Sequence, residues 1–223
     1  MLEDLKELPN PILEHILTTT LEEYEYRNET LHVTELLYCL RKAYLRRTRL
    51  DIEKELEQRW YLYRGSVFDR LWCELFPRNQ IRITYRIPDG PTIVGKIDFI
   101  NKEGDDLVLY ELKTIANRYA IKDGPKEEHI KQAKFYAWCE NIDVAKLVYV
   151  SFEGVKIFTV DCSDAHEVVK ELEERAKLLY NCLKKERLPP RTDKEWECRY
   201  CEFRDICSVE EIRQEVKDLV VME

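Results

Sequence analysis

The chain has 223 residues, of which 44% are hydrophobic and 36% charged, a balance that excludes a disordered or fibrous protein. Its formal charge is −8, from 36 basic and 44 acidic residues, which argues against coating nucleic acid by bulk electrostatics. It leaves room for a local basic groove and for carboxylates that hold divalent cations.

Residues 1–31 read as an acidic, mostly helical lead-in that Pro9 and Pro11 break early. The start lacks the basic-then-apolar pattern of a signal peptide, and no apolar run reaches the roughly 18 residues needed to cross a bilayer. A soluble cytoplasmic protein with no membrane partner is expected. From His32 to about Leu50 runs a helix-like segment, and a second helix spans roughly Ile52 to Phe76, stopped at Pro77. The period then changes. Ile81–Ile87 alternates, the turn residues Pro88-Asp89-Gly90-Pro91 follow, and Thr92–Ile100 and Leu107–Thr114 are two further strands. A helix over about Pro125–Cys139 comes next, then strands Leu147–Phe152 and Val155–Val160 around Glu153-Gly154. Residues Ser163–Glu186 form a charged helix ended by Pro189-Pro190, and a cysteine-rich segment with a short acidic helical tail closes the chain. This order predicts an α/β fold with a mixed central sheet flanked by helices. Four stretches are expected: the lead-in (1–31), a helical part (32–78), the core (79–188) and a terminal cysteine module (189–223).

The second hairpin of the meander carries the chemistry. If its turn is centred on Gly104-Asp105, Asp98 lies directly across from Glu111. Side chains alternate along a strand, so Glu111 and Lys113 share Asp98's face, while Ile97, Phe99, Tyr110 and Leu112 point to the other side. Two opposed carboxylates repel unless something compensates them, and a hard cation such as Mg²⁺ or Mn²⁺ takes oxygen ligands. Lys113 could then orient an attacking water or stabilise phosphate charge. Taken alone, the pattern equally suits a solvated strand face with surface ion pairs. Asp69, in Gly65-Ser66-Val67-Phe68-Asp69, adds to it: no basic residue stands three or four places away to pair with it on a helix. Gln132 and Tyr136 stand at i and i+4 on one helix face, where they could grip a phosphate or a stacked base, or simply belong to the core.

Eight cysteines are many for a chain without a signal peptide, and metal ligation is the better expectation than a disulfide framework. Cys198-x-x-Cys201-x₅-Cys207 has the gap that lets two thiolates reach one centre, and Cys39 is the candidate fourth ligand. Spacing does not separate zinc from iron–sulfur. Cys73, Cys139, Cys162 and Cys182 sit in apolar or helical settings typical of free thiols. Beside Cys39, the residues Arg41, Lys42, Arg46, Arg47 and Arg49 form the densest cationic stretch, a DNA contact or a solvated helix face.

In this order, Cys39 in Leu-Tyr-Cys-Leu-Arg-Lys, Gly65-x₃-Asp69, Gly95-x-x-Asp98, Glu111-x-Lys113, Gln132-x₃-Tyr136 and the terminal cysteines resemble the CRISPR-associated RecB-like exonucleases, the Cas-four family of the PD-(D/E)XK nuclease superfamily. The resemblance covers about residues 32–210. It implies a restriction-endonuclease-like core, Mg²⁺ or Mn²⁺ dependence and an iron–sulfur cluster, usually [4Fe–4S], on Cys39, Cys198, Cys201 and Cys207. It also implies exonuclease action on single-stranded DNA ends during processing of spacer precursors, with CRISPR integrase proteins as partners; homo-oligomerisation is left open. By resemblance Asp98 and Glu111 bind metal, Lys113 is catalytic, and Gln132 and Tyr136 support it. One position departs: the family's helix motif reads Gly-x₃-His, and here the metal-ligand place holds Asp69. None of His15, His32, His129 and His166 falls in a motif position. Two alternatives therefore accompany the active exonuclease: a catalytically weak DNA-end adaptor of the integrase, and a RecB-like repair nuclease.

Overall fold

The computed structural model describes residues 3–20, 29–49, 54–199 and 201–220, with the backbone alone at 3, 118 and 215–220. Counting described residues only, the chain forms two compact units that interleave along the sequence: Met1–Glu25, Lys54–Ile83 and Lys96–His166 in the first, Tyr26–Glu53, Thr84–Gly95 and Glu167–Glu223 in the second. Of the four consecutive stretches expected from the sequence, 1–31, 32–78 and 79–188 each contain pieces of both units, while 189–223 lies in the second.

The meander appears as expected. Strands β2 (Asn79–Arg86), β3 (Thr92–Glu103) and β4 (Asp106–Thr114) follow one another, with β2 and β4 each paired to β3. The β3–β4 ladder runs from Phe99↔Tyr110 to Glu103↔Asp106, and continuing that register sets Asp98 opposite Glu111. Gly104 supplies the positive φ (63°) that a two-residue hairpin turn needs.

The first unit is built on this hairpin. Strand β5 (Val144–Ser151) pairs parallel to β4, and β6 (Gly154–Asp161) pairs antiparallel to β5. A parallel neighbour cannot be reached by a tight turn, and helix α5 (Glu127–Glu140) makes the crossover. Helix α1 (Asn10–Thr19) packs on helix α4 (Leu56–Cys73), with His15 edge-on to Tyr63. Phe68 and Trp72 of α4, with Phe76 just beyond, cover a buried cluster of Cys73, Phe99, Leu112, Val148 and Val150. Phe76, Phe99 and Tyr110 stack in sequence, at centroid spacings of 3.9 and 4.6 Å. Phe99, Tyr110 and Leu112, three of the four residues expected on the apolar side of the hairpin, therefore pack in this cluster with α4. Each such side chain taken from water contributes roughly 1.5–3 kcal/mol.

In the second unit, the strand β1 (Thr30–His32) pairs parallel with the start of β3 through Thr30↔Thr92, Leu31↔Ile93 and His32↔Val94. Three residues are too few to show an alternation, so β1 was illegible in the sequence. The segment read as one helix from His32 is two, α2 (Val33–Leu37) and α3 (Leu40–Thr48), broken at Tyr38 and Cys39. His32 and Glu35 form a capping box at the start of α2. Helix α6 (His166–Lys184) buries Val169, Leu172, Ala176, Leu179 and Leu183 at helical spacing. Short helix α7 (Glu195–Arg199) and helix α8 (Arg204–Val220) complete the unit. The expected helix limits at 50 and 52, and residues 21–28 of the lead-in, lie outside the described residues. No described helix is long and apolar enough to cross a membrane.

Candidate functional site

Asp98 and Glu111 are buried, at 7% and 1% exposure. Lys113 Nζ donates to Glu111 Oε2 at 2.8 Å, and the Leu112 amide donates to Asp98 Oδ2 at 2.6 Å. The strand ladder thus gives way, at the candidate site, to side chains that take over backbone donors. From α5, Gln132 Nε2 donates to the Tyr136 hydroxyl at 3.3 Å, and that hydroxyl also accepts the Lys96 amide at 3.4 Å. Both α5 side chains are buried, so they stand as a fixed pair.

Asp69 of α4 belongs to the same electrostatic group. Burial, with the nearby Asp98 carboxylate, pushes its carboxyl up to about 7, against the pull of Lys113 and Lys96. Burial likewise raises Asp98, opposed by Lys113, the Leu112 amide and Lys96. Glu111 is pushed up to about 8 by burial, which outweighs the ion pair with Lys113. Burial would discharge Lys113, but Glu111 and Asp98 hold it firmly protonated. Tyr136 stays a neutral phenol because of burial and the Glu111 charge. Three carboxyls thus share the positive charges of Lys113 and the exposed Lys96, an excess of buried negative charge that calls for a cation or for protons.

One atom points to a cation. Glu111 Oε1 is buried and has no hydrogen-bond partner, and leaving a buried charged acceptor unpaired costs on the order of 1–3 kcal/mol or more. Among the described residues no three His, Cys, Asp or Glu side chains converge to hold a metal by themselves. Mg²⁺ does not require that, since it is commonly held by one or two carboxylates and retains waters. The two buried carboxylates of Asp98 and Glu111, with Asp69 in the same electrostatic group, suit such an ion. Sequence reading missed Lys96, although its place two residues before Asp98 on an alternating strand puts it on Asp98's face.

Cys39, Cys198, Cys201 and Cys207, separated by up to 168 positions, line one cavity of about 30 Å³ in the second unit. Phe203, 2% exposed, also lines it. The Cys39 amide donates to Glu197 Oε2 at 2.6 Å, and Arg41 Nη1 lies 3.8 Å from Cys207 Sγ. None of the eight cysteines is in a disulfide; Cys73 and Cys162 are buried, Cys139 and Cys182 half-buried.

The basic run has a different environment from the solvent-facing strip expected of a DNA contact. Arg41 is 6% exposed, donates to the Pro189 carbonyl and pairs with Glu211 at 3.0 Å. Lys42 and Arg46 both pair with Glu202, Lys42 at 2.8 Å. Arg47, 8% exposed, grips Glu35 with two donors at 2.6 Å each. Arg49 pairs with Glu210 at 3.0 Å. Burial alone would raise Glu202, but Lys42 and Arg46 hold it down at about 2. Arg41 and Arg47 are thus enclosed within the second unit and paired with its carboxylates.

A hairpin that sets two buried carboxylates and a lysine on one face of a mixed sheet suits metal-assisted phosphodiester cleavage. The profile of the PD-(D/E)XK nuclease superfamily matches residues 2–208, and the chain belongs to that superfamily. Nucleases of this superfamily generally use divalent ions such as Mg²⁺ or Mn²⁺. Among solved structures, the chain is similar to the crystal structure of SSO0001, with a TM-score of 0.66 and 20% identity, covering 88% of this chain and 94% of that one. It is also similar to an alkaline exonuclease (LHK-Exo) from Laribacter hongkongensis, with a TM-score of 0.47 and 15% identity over 78% and 97% of the two chains. No curated protein sequence matches it.

Proposed function

We propose that this protein is a divalent-metal-dependent DNA exonuclease acting on single-stranded ends, in the processing of spacer precursors for CRISPR integrase proteins. The observation that carries the nuclease part is the buried Asp98 and Glu111, with half-buried Lys113 paired to Glu111 and the Glu111 Oε1 unpartnered. Asp98 and Glu111, with Asp69 beside them, would hold Mg²⁺ or Mn²⁺, which when bound supplies an acidified water and neutralises phosphate charge. Lys113, kept protonated by its carboxylates, stabilises negative charge growing on the phosphate. Tyr136 and Gln132 brace one another and Lys96, and so fix the strand that carries Asp98.

The finer assignment rests on the cysteines. Cys39, Cys198, Cys201 and Cys207 would hold an iron–sulfur cluster, in which each thiolate binds a different iron and the sulfurs stand further apart than around a single ion. Their common cavity, with Arg41 beside Cys207, supports this reading. Purified protein should degrade end-labelled single-stranded DNA only when Mg²⁺ or Mn²⁺ is added; cleavage in the presence of a chelator would overturn the mechanism.

A second reading, a DNA-end adaptor with weak turnover, is favoured by Asp69, whose carboxylate adds repulsion to a site already rich in negative charge. In that case DNA binding persists without turnover, and Asp69→His raises cleavage.

A further inference from the structure

Beside the carboxylates, within the first unit, lies an open cavity of about 340 Å³, of whose lining the nuclease reading uses Asp69 alone. That volume is within the roughly 300–1,000 Å³ typical of small-molecule sites. Asp69 lines it, with Thr20 at the end of α1, Tyr61, Gly65 and Ser66 of α4, and Thr114, the residue after Lys113.

The chemistry of the lining selects its occupant. The Thr20 hydroxyl donates to the Ile16 carbonyl at 2.7 Å, and the Ser66 hydroxyl donates to the Tyr63 carbonyl at 2.9 Å. With their protons engaged, both oxygens offer only lone pairs to the cavity, as does the Asp69 carboxylate when ionised. None of the lining residues is Lys or Arg. A phosphate, which needs positive charge, is therefore the wrong guest. A group with N–H donors and a flat apolar body is the right one. Tyr61, 45% exposed, supplies an aromatic surface of the kind on which bases stack. Gly65 keeps the wall open: a Cβ there would already stand 3.4 Å from Thr114 Oγ1, so a larger side chain would project into the cavity.

We propose that this cavity receives the nucleobase of the nucleotide next to the scissile phosphate, reading its amino edge through Thr20, Ser66 and Asp69 and stacking it on Tyr61. Adenine, cytosine and guanine, which carry exocyclic amino groups, are preferred over thymine, which does not. The proposal rests on the nuclease reading for the position of the phosphate, but base binding is testable without cleavage.

Fluorescence anisotropy in Ca²⁺ compares single-stranded oligonucleotides of one length whose terminal nucleotide, at either end, is adenine, cytosine, thymine or abasic. The wild-type protein is expected to bind adenine- or cytosine-ended DNA roughly tenfold tighter than abasic-ended DNA, the scale of one stacked base. Gly65→Leu, which fills the cavity, and Tyr61→Ala should each bring that ratio close to one. If Gly65→Leu fails to fold by circular dichroism, Tyr61→Ala decides, because its ring is half exposed. Equal binding to all four ends, no binding at all, or an intact preference in a folded variant overturns the subsite. A preserved base preference in a protein that cuts no DNA with Mg²⁺ or Mn²⁺ overturns the nuclease reading and leaves the subsite standing.

Discussion

At the scale of the residue, the site is a problem of charge. Half-buried Lys113 pairs with Glu111 in a group that also holds Asp69 and Asp98, and the proposed mechanism gives it the phosphate charge to stabilise as well. Lys113→Ala is expected to lower Mn²⁺-dependent cleavage of end-labelled DNA by about 10²–10³, the usual cost of removing one electrostatic stabiliser. Activity within a few-fold of wild type would remove Lys113 from the mechanism. Asp69 should behave in opposite ways with and without metal. Without metal its carboxylate is repelled by Asp98, so Asp69→Asn raises the melting temperature in EDTA by about 2–4 °C, what roughly 1 kcal/mol is worth in a chain of this size. With millimolar Mn²⁺ the same variant gains less stabilisation than wild type, because a ligand has gone. A variant that gains as much from Mn²⁺ as wild type would show that Asp69 does not hold the ion. The pairing of Asp98 with Glu111 could be read from alternation and turn position alone. Lys96 could have been, since it lies on the same face; the orphaned Glu111 Oε1 could not, because an unmade hydrogen bond depends on what packs around it.

Elements came through the sequence in proportion to their periodicity. The meander, α5 and the β5–β6 hairpin follow the alternation and the helical spacing closely, while β1 is too short to show either. The break between α2 and α3 at Cys39 is invisible locally because neither Gly nor Pro marks it; there the Cys39 amide is taken by Glu197, 158 positions away. Helix α5 also carries a group whose behaviour only packing reveals. His129 Nδ1 lies 2.8 Å from the Tyr149 hydroxyl, and burial, with Lys113 and Lys126 nearby, holds its imidazole down at about 3. Its ordinary value is about 6.5. Below that pH the unfolded chain binds a proton that the folded one refuses, so stability falls as pH drops from about 6.5 toward 3 and is unaffected by this group above that range. The urea midpoint of His129→Gln should therefore fall less than that of wild type between pH 7 and pH 4.5. Parallel declines would assign the acid sensitivity to other groups.

At the scale of the whole molecule, the two compact units are each assembled from distant pieces of chain, and the cysteine cavity is the clearest case. Anaerobically purified protein is expected to be coloured, with iron and acid-labile sulfide each on the order of four per chain for a [4Fe–4S] centre. Cys198→Ser should lower both and the melting temperature together. A colourless, zinc-only protein would overturn the cluster and weaken the CRISPR assignment that depends on it. What the sequence by itself determined is what local pattern encodes: the α/β order of elements, the register that opposes Asp98 and Glu111, the helix face of Gln132 and Tyr136, and the Cys198–Cys207 spacing. Only the tertiary structure decided where the charges of Arg41, Lys42, Arg46 and Arg47 are spent. Glu202, Glu211 and Glu35 neutralise them, and the first two are 156 to 170 positions away along the chain. A run of like charge looks the same in sequence whether it meets DNA or a protein carboxylate, because its meaning lies in the partner, and partners are brought together by packing.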